Sequence, residues 1–307
     1  MMPIPPILTD PTRRYDLVLL LDVTDGNPNG DPDADNLPRM DPATQQGLIS
    51  DVALKRRIRD YVQLTQADVP GRAIVVQSGT ALHTHQQRAY TALGLTSTGS
   101  KQAAADVARA RAWMCQTFYD IRMFGAVMTT GINCGQVRGP MQCTFARSID
   151  PIVPLDHTIT RITVTRIADL VVTRTPDGRM TGKQTMIGRK PLVSYALYRA
   201  HGFFSPHLAA QTGVTAADLT IFWQALVHMW DLDRSASRGL IACRGLYVFV
   251  HAAALGSAPA HTLFDRIQLD PLAPDGMPTS FRDYAGRIRI ADQELPDGVT
   301  LVRLVAG

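Results

Sequence analysis

Apolar residues are spread unevenly along this chain, and the changes of pattern mark its elements. Tyr15-Asp-Leu-Val-Leu-Leu-Leu-Asp-Val23 is apolar at nearly every position. An unbroken run of this kind predicts a strand buried on both faces. From Asp25 to Pro42 the apolar positions thin out, and Pro28, Pro32, Pro38 and Pro42 bar both a helix and a central strand. The spacing then becomes helical. Ser50 can cap a helix over 50–64 that sets Leu54, Ile58, Tyr61 and Val62 on one face, with Lys55, Arg56 and Arg59 on another.

Arg72–Gln77 reads as a short strand. Residues 79–127 read as helical, with Ala103, Val107, Ala110, Met114 and Phe118 forming a stripe that ends near Gly125. Gly131–Gly139 is rich in turn residues. Met141–Phe145 and the alternating Thr158–Ile167 are further strands, and Leu170–Lys190 predicts a projecting hairpin turning at Pro176-Asp177-Gly178. A strand over Leu192–Phe204 precedes a helix opened by Thr215-x-x-Asp218, with Leu219, Phe222, Trp223, Leu226, Met229 and Trp230 as its stripe. Arg244–Val250 and two short tail strands, Arg287–Ile290 and Val299–Val305, complete the pattern.

These elements give an α+β chain. Strand 15–23, helix 50–64, strand 72–77, strand 192–204, helix 215–230 and strand 244–250 spell βαββαβ, the ferredoxin-like order of RNA-recognition-motif sheets. The implied division is a palm-like core over 13–77 and 191–307, a helical insertion over 78–155, and a basic β-hairpin over 156–190.

Composition adds one feature, the placement of charge. The 307 residues are 45% apolar with a formal charge of +4, as befits a globular protein. Residues 1–66 net −3 and residues 161–199 net +6, so one short segment exceeds the whole chain in positive charge. That concentration points to an anionic partner, nucleic acid or an anionic membrane. Only four lysines stand against twenty-seven arginines, and Glu294 is the sole glutamate. A GC-rich genome accounts for that skew, so it carries no weight for phosphate recognition. The four cysteines have no metal-ligand spacing, and the first residues lack a signal-peptide pattern. The expectation is a cytoplasmic protein with reduced thiols and no cofactor.

Most motifs have plain readings. Asp25-Gly-Asn-Pro-Asn-Gly30 opens like a calcium loop, but its twelfth position is Asn36 and a strand precedes it. Asp31, Asp33 and Asp35 alternate as nuclease carboxylates do, or as a solvated loop does. His83-x-His85 lacks further zinc ligands at a recognisable spacing. No P-loop, nucleophile elbow or H-E-x-x-H occurs. The basic hairpin is richer: Met180, Met186 and Ile187 sit among Arg174, Arg179, Lys183, Arg189 and Lys190. Apolar tips on such an arm suit wedging between bases while the charges hold phosphates.

Several long stretches together resemble one family. They are Asp25–Asp33, Asn36-Leu-Pro-Arg39, Asp51–Arg59, Gly139-Pro-Met-Gln142, Arg199-Ala-His-Gly-Phe-Phe-Ser205 and Asp231-Leu-Asp-Arg-Ser-Ala-Ser-Arg-Gly239. The resemblance is to the backbone subunit of the type I-C CRISPR Cascade complex, within the wider Cas-seven family, and runs from about Arg14 to the end. It implies a hand-shaped protein: an RNA-recognition-like palm, a helical finger and a β-hairpin thumb. Copies of it would stack head to tail along a CRISPR RNA, beside the large, small and guide-handle-binding Cascade subunits. The guide would be left free to pair with target DNA, with no enzymatic role and no membrane.

Within that picture, charge and position assign Lys55, Arg56 and Arg59 to phosphates from the palm, and Asn27 and Asn29 to sugar or phosphate from the loop. Arg138, Gln142 and Arg147 line the same groove, which Arg161, Arg166, Lys183, Arg189 and Lys190 extend along the thumb. The competing expectation is a metal-dependent ribonuclease of type III kind, using Asp31, Asp33 or Asp35.

Overall fold

The computed structural model describes residues 2–161, 163, 173–174, 180–181, 186–272 and 276–306. Its frame is an eight-stranded antiparallel sheet. In chain order the strands are β1 (Tyr15–Gly26), β2 (Gln46–Ile49), β3 (Met141–Cys143), β4 (Ala146–Pro151), β5 (Pro154–Arg161), β6 (Met186–Phe204), β7 (Leu240–His251) and β8 (Val299–Val305). The order across the sheet is β8-β7-β1-β6-β4-β2, with β3 and β5 pairing other lengths of β6. The apolar run of β1 lies at the centre, as expected. Leu17, Leu19, Leu21 and Val23 enter one core, and Val18 and Leu20 enter the core on the opposite face.

Two helices cover the first face. In α1 (Asp51–Thr65) the Ser50 hydroxyl accepts from the Ala53 N–H, and Leu54, Ile58, Tyr61 and Val62 are buried. A later helix, Ala216–Leu232, is opened by a reciprocal capping box between Thr215 and Asp218. The second face is closed by the described residues between 260 and 290, Leu263, Phe264, Ile267 and Tyr284 among them. Arg199 donates to the carbonyls of Phe264 (2.6 Å) and Ile267 (2.7 Å), and the Tyr284 hydroxyl donates to Asp150 at 2.5 Å.

Between these parts of the chain lies a helical region with its own core of Tyr90, Met114, Phe118, Ile121 and Val137, among others. It consists of α2 (Leu82–Leu93), α3 (Ala104–Thr117), α4 (Tyr119–Phe124) and a ribbon pairing Gly125–Met128 with Gly135–Arg138. The helical stretch expected over 79–127 is therefore broken. Gly94 ends α2 at φ 65°, and Phe118, extended at φ −112° and ψ 119°, separates α3 from α4. It ends at Gly125 as expected. The turn-rich 131–139 includes a return strand. Continuing the numbering, α5 is Pro206–Thr212, α6 is Ala216–Leu232 and α7 is Ala260–Phe264.

Two expectations need correction. Arg72–Gln77 is not a strand of the sheet: the Asp120 carboxylate accepts the N–H groups of Val75 (3.0 Å) and Val76 (3.1 Å), so those donors are not available to a ladder. Its place beside β6 is taken by β3 and β4. These strands fall within 78–155, so the excursion from the sheet narrows to roughly 81–138.

β6 begins at Met186, earlier than expected, because its first half pairs with β5 from Arg161↔Met186 to Pro154↔Val193. Beyond that ladder Thr173–Arg174 pairs antiparallel with Met180–Thr181. The turn assigned to Pro176-Asp177-Gly178 and most of Thr158–Ile167 beyond Arg161 lie outside the described residues.

Candidate nucleic-acid interface

Two loops far apart in sequence meet at the amino end of α1. One is Gly26-Asn-Pro-Asn-Gly30, leaving β1; the other is Asp233–Gly239, leaving α6. Their approach requires glycine. A Cβ on Gly26 would lie 2.1 Å from the Arg238 carbonyl oxygen, and one on Gly239 (φ 61°) would lie 2.3 Å from that of Thr24.

Hydrogen bonds hold the loops together. The Asn27 N–H donates to the Ser237 carbonyl (2.7 Å), and Arg238 Nη1 donates to the Asn27 carbonyl (3.1 Å). Arg57, only 4% exposed, ties both loops to the helix. Its Nη2 donates to the Pro28 carbonyl at 2.7 Å and its Nε to Asp233 at 2.7 Å. Burial pulls the Arg57 pKa below the ordinary arginine range, with Asp233 opposing that shift. Asn29 Oδ1 accepts from both the N–H and the hydroxyl of Ser50, each at 2.9 Å.

The result is a polar cleft of about 320 Å³ lined by Asn29, Gly30, Ser50, Arg56, Arg57 and Arg238, with Asp233 at its edge. Three guanidinium groups thus face one carboxylate, at the positive end of a helix dipole. Arg56 is the most exposed of the three: its side chain is 65% exposed and pairs with Asp60, at 3.5 Å one turn along. The Ser50 hydroxyl is given to Asn29, so what the cleft offers an oxyanion is guanidinium N–H groups, those of Arg56 foremost.

The band continues along α1. Lys55 Nζ lies 3.1 Å from Asp51 and donates to Gln142 Oε1 at 2.9 Å, while Gln142 Nε2 donates to the carbonyls of Phe124 (3.2 Å) and Gly139 (3.1 Å). This chain of contacts leads from α1 to Arg138, which is exposed.

Other expected residues are placed differently. Arg59 is 11% exposed and paired with the fully buried Asp120 at 3.0 Å, so its charge serves the interior. Asn27 is 2% exposed, and its amide donates to the Asn36 carbonyl at 2.7 Å. The Asn29 carbonyl oxygen is engaged by Ser50, as above. Arg147 bonds Asp41 at 2.8 Å in a cleft with Phe145, Arg199 and Leu269, on the face closed by 260–290 and away from α1. On the arm, Arg189 is 69% exposed and pairs with Asp156 at 2.6 Å. Arg161 donates to the Thr163 carbonyl, and Lys190 is half-buried beside them. Arg166 and Lys183 lie outside the described residues.

The loop carboxylates serve local structure. Asp31 accepts from the Asp33 N–H and lies 3.5 Å from Arg39. Among the described residues no three His, Cys, Asp or Glu side chains are grouped as metal ligands. His83 is exposed while His85 is buried, so the zinc pair does not form. Among the described residues no helix is long and apolar enough to cross a membrane.

Sequence reasoning missed Arg57, Ser50 and Arg238 as builders of the cleft. The available signal is the Asp231–Gly239 stretch, one of those that carry the family resemblance and the one that contains Arg238.

The family model described as CRISPR-associated protein Cas7 matches residues 13–290. The chain belongs to the Cas7 family. A CRISPR-associated protein Cas7 of Haloferax volcanii is 35% identical over 118 residues, which is 38% of this chain and 33% of that relative. Two solved structures titled CRISPR RNA-guided surveillance complex also align. One, captured before nicking, gives 14% identity and TM-score 0.47 over 77% of this chain and 75% of its own. The other gives 12% identity and TM-score 0.47 over 89% and 80%. At those scores the fold description stands on the geometry above.

Proposed function

We propose that this Cas7-family chain is a non-catalytic, CRISPR-RNA-binding backbone subunit of a type I-C Cascade complex. It grips single-stranded ribose-phosphate without reading bases, and specificity is delegated to pairing between guide and target DNA. The observation that carries this reading is the cationic cleft at the amino end of α1. It is assembled from the same Asn-Pro-Asn-Gly and Asp-Arg-Ser-Ala-Ser-Arg-Gly stretches that carry the resemblance to the type I-C branch.

The strand order β7-β1-β6-β4, with α1 and α6 on one face, supports an RNA-recognition-like palm. Its second strand is contributed by residues that follow the helical excursion. The β5–β6 arm, with Ile159 half exposed and Ile187 73% exposed beside Arg161 and Arg189, suits a thumb. In this reading copies stack head to tail on one cytoplasmic guide, with the other Cascade subunits at its ends and along it.

The test is purification of the full chain from its native operon. A short CRISPR RNA of defined length should copurify, and Arg56→Glu should lower the RNA retained per protein several-fold. Recovery of the protein free of RNA, or with a random RNA population unaffected by Arg56→Glu, would reject the proposal.

A further inference from the structure

Away from the α1 cleft, a second cavity of about 520 Å³ opens between α3, the return strand Gln136–Arg138 and the end of α5. Its polar walls come from Arg111, Gln116, Gln136, Arg138 and Gln211. Arg111 and Arg138 are both exposed, and neither has a carboxylate partner among the described residues. Most exposed arginines described here are paired, as Arg56, Arg109, Arg147, Arg189 and Arg234 are. Two unpaired guanidinium groups in one concavity repel each other unless an anion joins them.

The floor adds to the field. Beneath it Arg122 donates to the carbonyls of Cys115 (2.5 Å) and Gln116 (3.3 Å), and both residues line the cavity. Arg122 and Arg72 share the one carboxylate of Asp218, while Arg59 takes Asp120. Three buried guanidiniums therefore meet two carboxylates, and burial beside Arg72 pulls the Arg122 pKa down to about 10, still fully charged near neutrality. Against this stands the carboxyl end of α5, whose carbonyls carry a fraction of a charge.

We infer that this cavity seats a second phosphodiester of the same RNA strand, with Arg111 and Arg138 as its forks and the glutamine amides as neutral donors. Arg138 adjoins Gly139, whose carbonyl Gln142 holds, so the Lys55–Gln142 contact joins the two seats into one path. The inference rests on the RNA-binding reading and extends the strand's track over α3.

The experiment measures affinity of the full chain for a single-stranded RNA across a salt series. Each phosphate contact on a single strand contributes a slope of about −0.7 in log K against log salt. Arg111→Gln should make the slope shallower by about that amount and weaken binding roughly tenfold at low salt, whereas Arg111→Lys should restore most of the slope. Gln211→Glu, on a different element, should weaken binding by placing a carboxylate at the mouth. If Arg56→Gln alters the slope while Arg111→Gln and Gln211→Glu do not, the second seat is rejected and the α1 cleft stands. If none of the three matters, RNA binding at both places is rejected. An unchanged slope with lost assembly onto a partner protein would assign the cavity to an acidic protein surface and overturn the inference.

Discussion

The two faces of the sheet use arginine in opposite ways. On the face under residues 260–290, Arg199 is spent on backbone carbonyls and on His201, whose ring stacks on Phe264 at 4.4 Å. That cover closes the sheet face opposite α1 and α6. On the helix side, Arg57 is equally spent and Arg238 bonds Asn27 and Asp233, but their work is to hold two loops around a cleft where Arg56 keeps an exposed guanidinium. An arginine's role therefore follows from which acceptors are left to it. Net charge does not reveal this: residues 1–66 are negative overall yet supply most of the cleft.

The largest effect should come from the arginine that is buried. Arg57→Ala removes the closer of the two guanidiniums on Asp233, leaving Arg238 at 3.3 Å, and strips the Pro28 carbonyl of its donor, so it should cost ~3 kcal/mol in urea unfolding. A loss below ~1 kcal/mol would mean the loops close without it.

Acid should loosen the other face next. Burial and Arg199 depress the His201 pKa to about 4, below its unfolded value near 6.5. Between those values the unfolded chain binds more protons, so stability falls as pH drops from about 6.5 toward 4, by an amount on the order of 2 kcal/mol. His201→Gln should flatten that segment of the stability profile. A profile as steep in the variant as in the parent would remove His201 from the account.

Arg56→Gln tests the exposed member of the cleft. It should weaken RNA binding about tenfold (~1.4 kcal/mol) while changing unfolding free energy by less than ~0.5 kcal/mol. A variant that lost stability instead would make Arg56 a structural residue like Arg57.

Asp33→Ala should have the smallest effect. Stability should move by less than ~0.5 kcal/mol, and matched RNA incubated with the assembled complex and magnesium should remain intact in both proteins. Cleavage by the parent that disappears in the variant would favour the ribonuclease reading.

Much of the frame was legible because it depends on local periodicity. The unbroken apolar run of β1, the capped amphipathic α1 and the Thr215–Asp218 box of α6 are written in adjacent residues. The strand expected at Arg72–Gln77 failed because a side chain 45 positions away, Asp120, takes the Val75 N–H. Nothing in the short apolar run records that acceptor. The site was legible as a neighbourhood and less so residue by residue. Helical spacing put Lys55, Arg56 and Arg59 on one face, yet tertiary carboxylates decide which of them reaches solvent. Asp120 withdraws Arg59, while Arg56 pairs with its neighbour Asp60. Arg238 was overlooked because its place beside Asn27 depends on two glycines, Gly26 and Gly239, meeting across more than two hundred residues.

Photo-crosslinking separates the two faces most directly, using a guide RNA substituted with 4-thiouridine and the full chain, followed by peptide mapping. Crosslinks are expected in the segments around Asn29–Gly30 and Ser50–Arg56. Crosslinks confined to Phe145, His201 and the 260–290 cover, with none at the amino end of α1, would contradict this expectation.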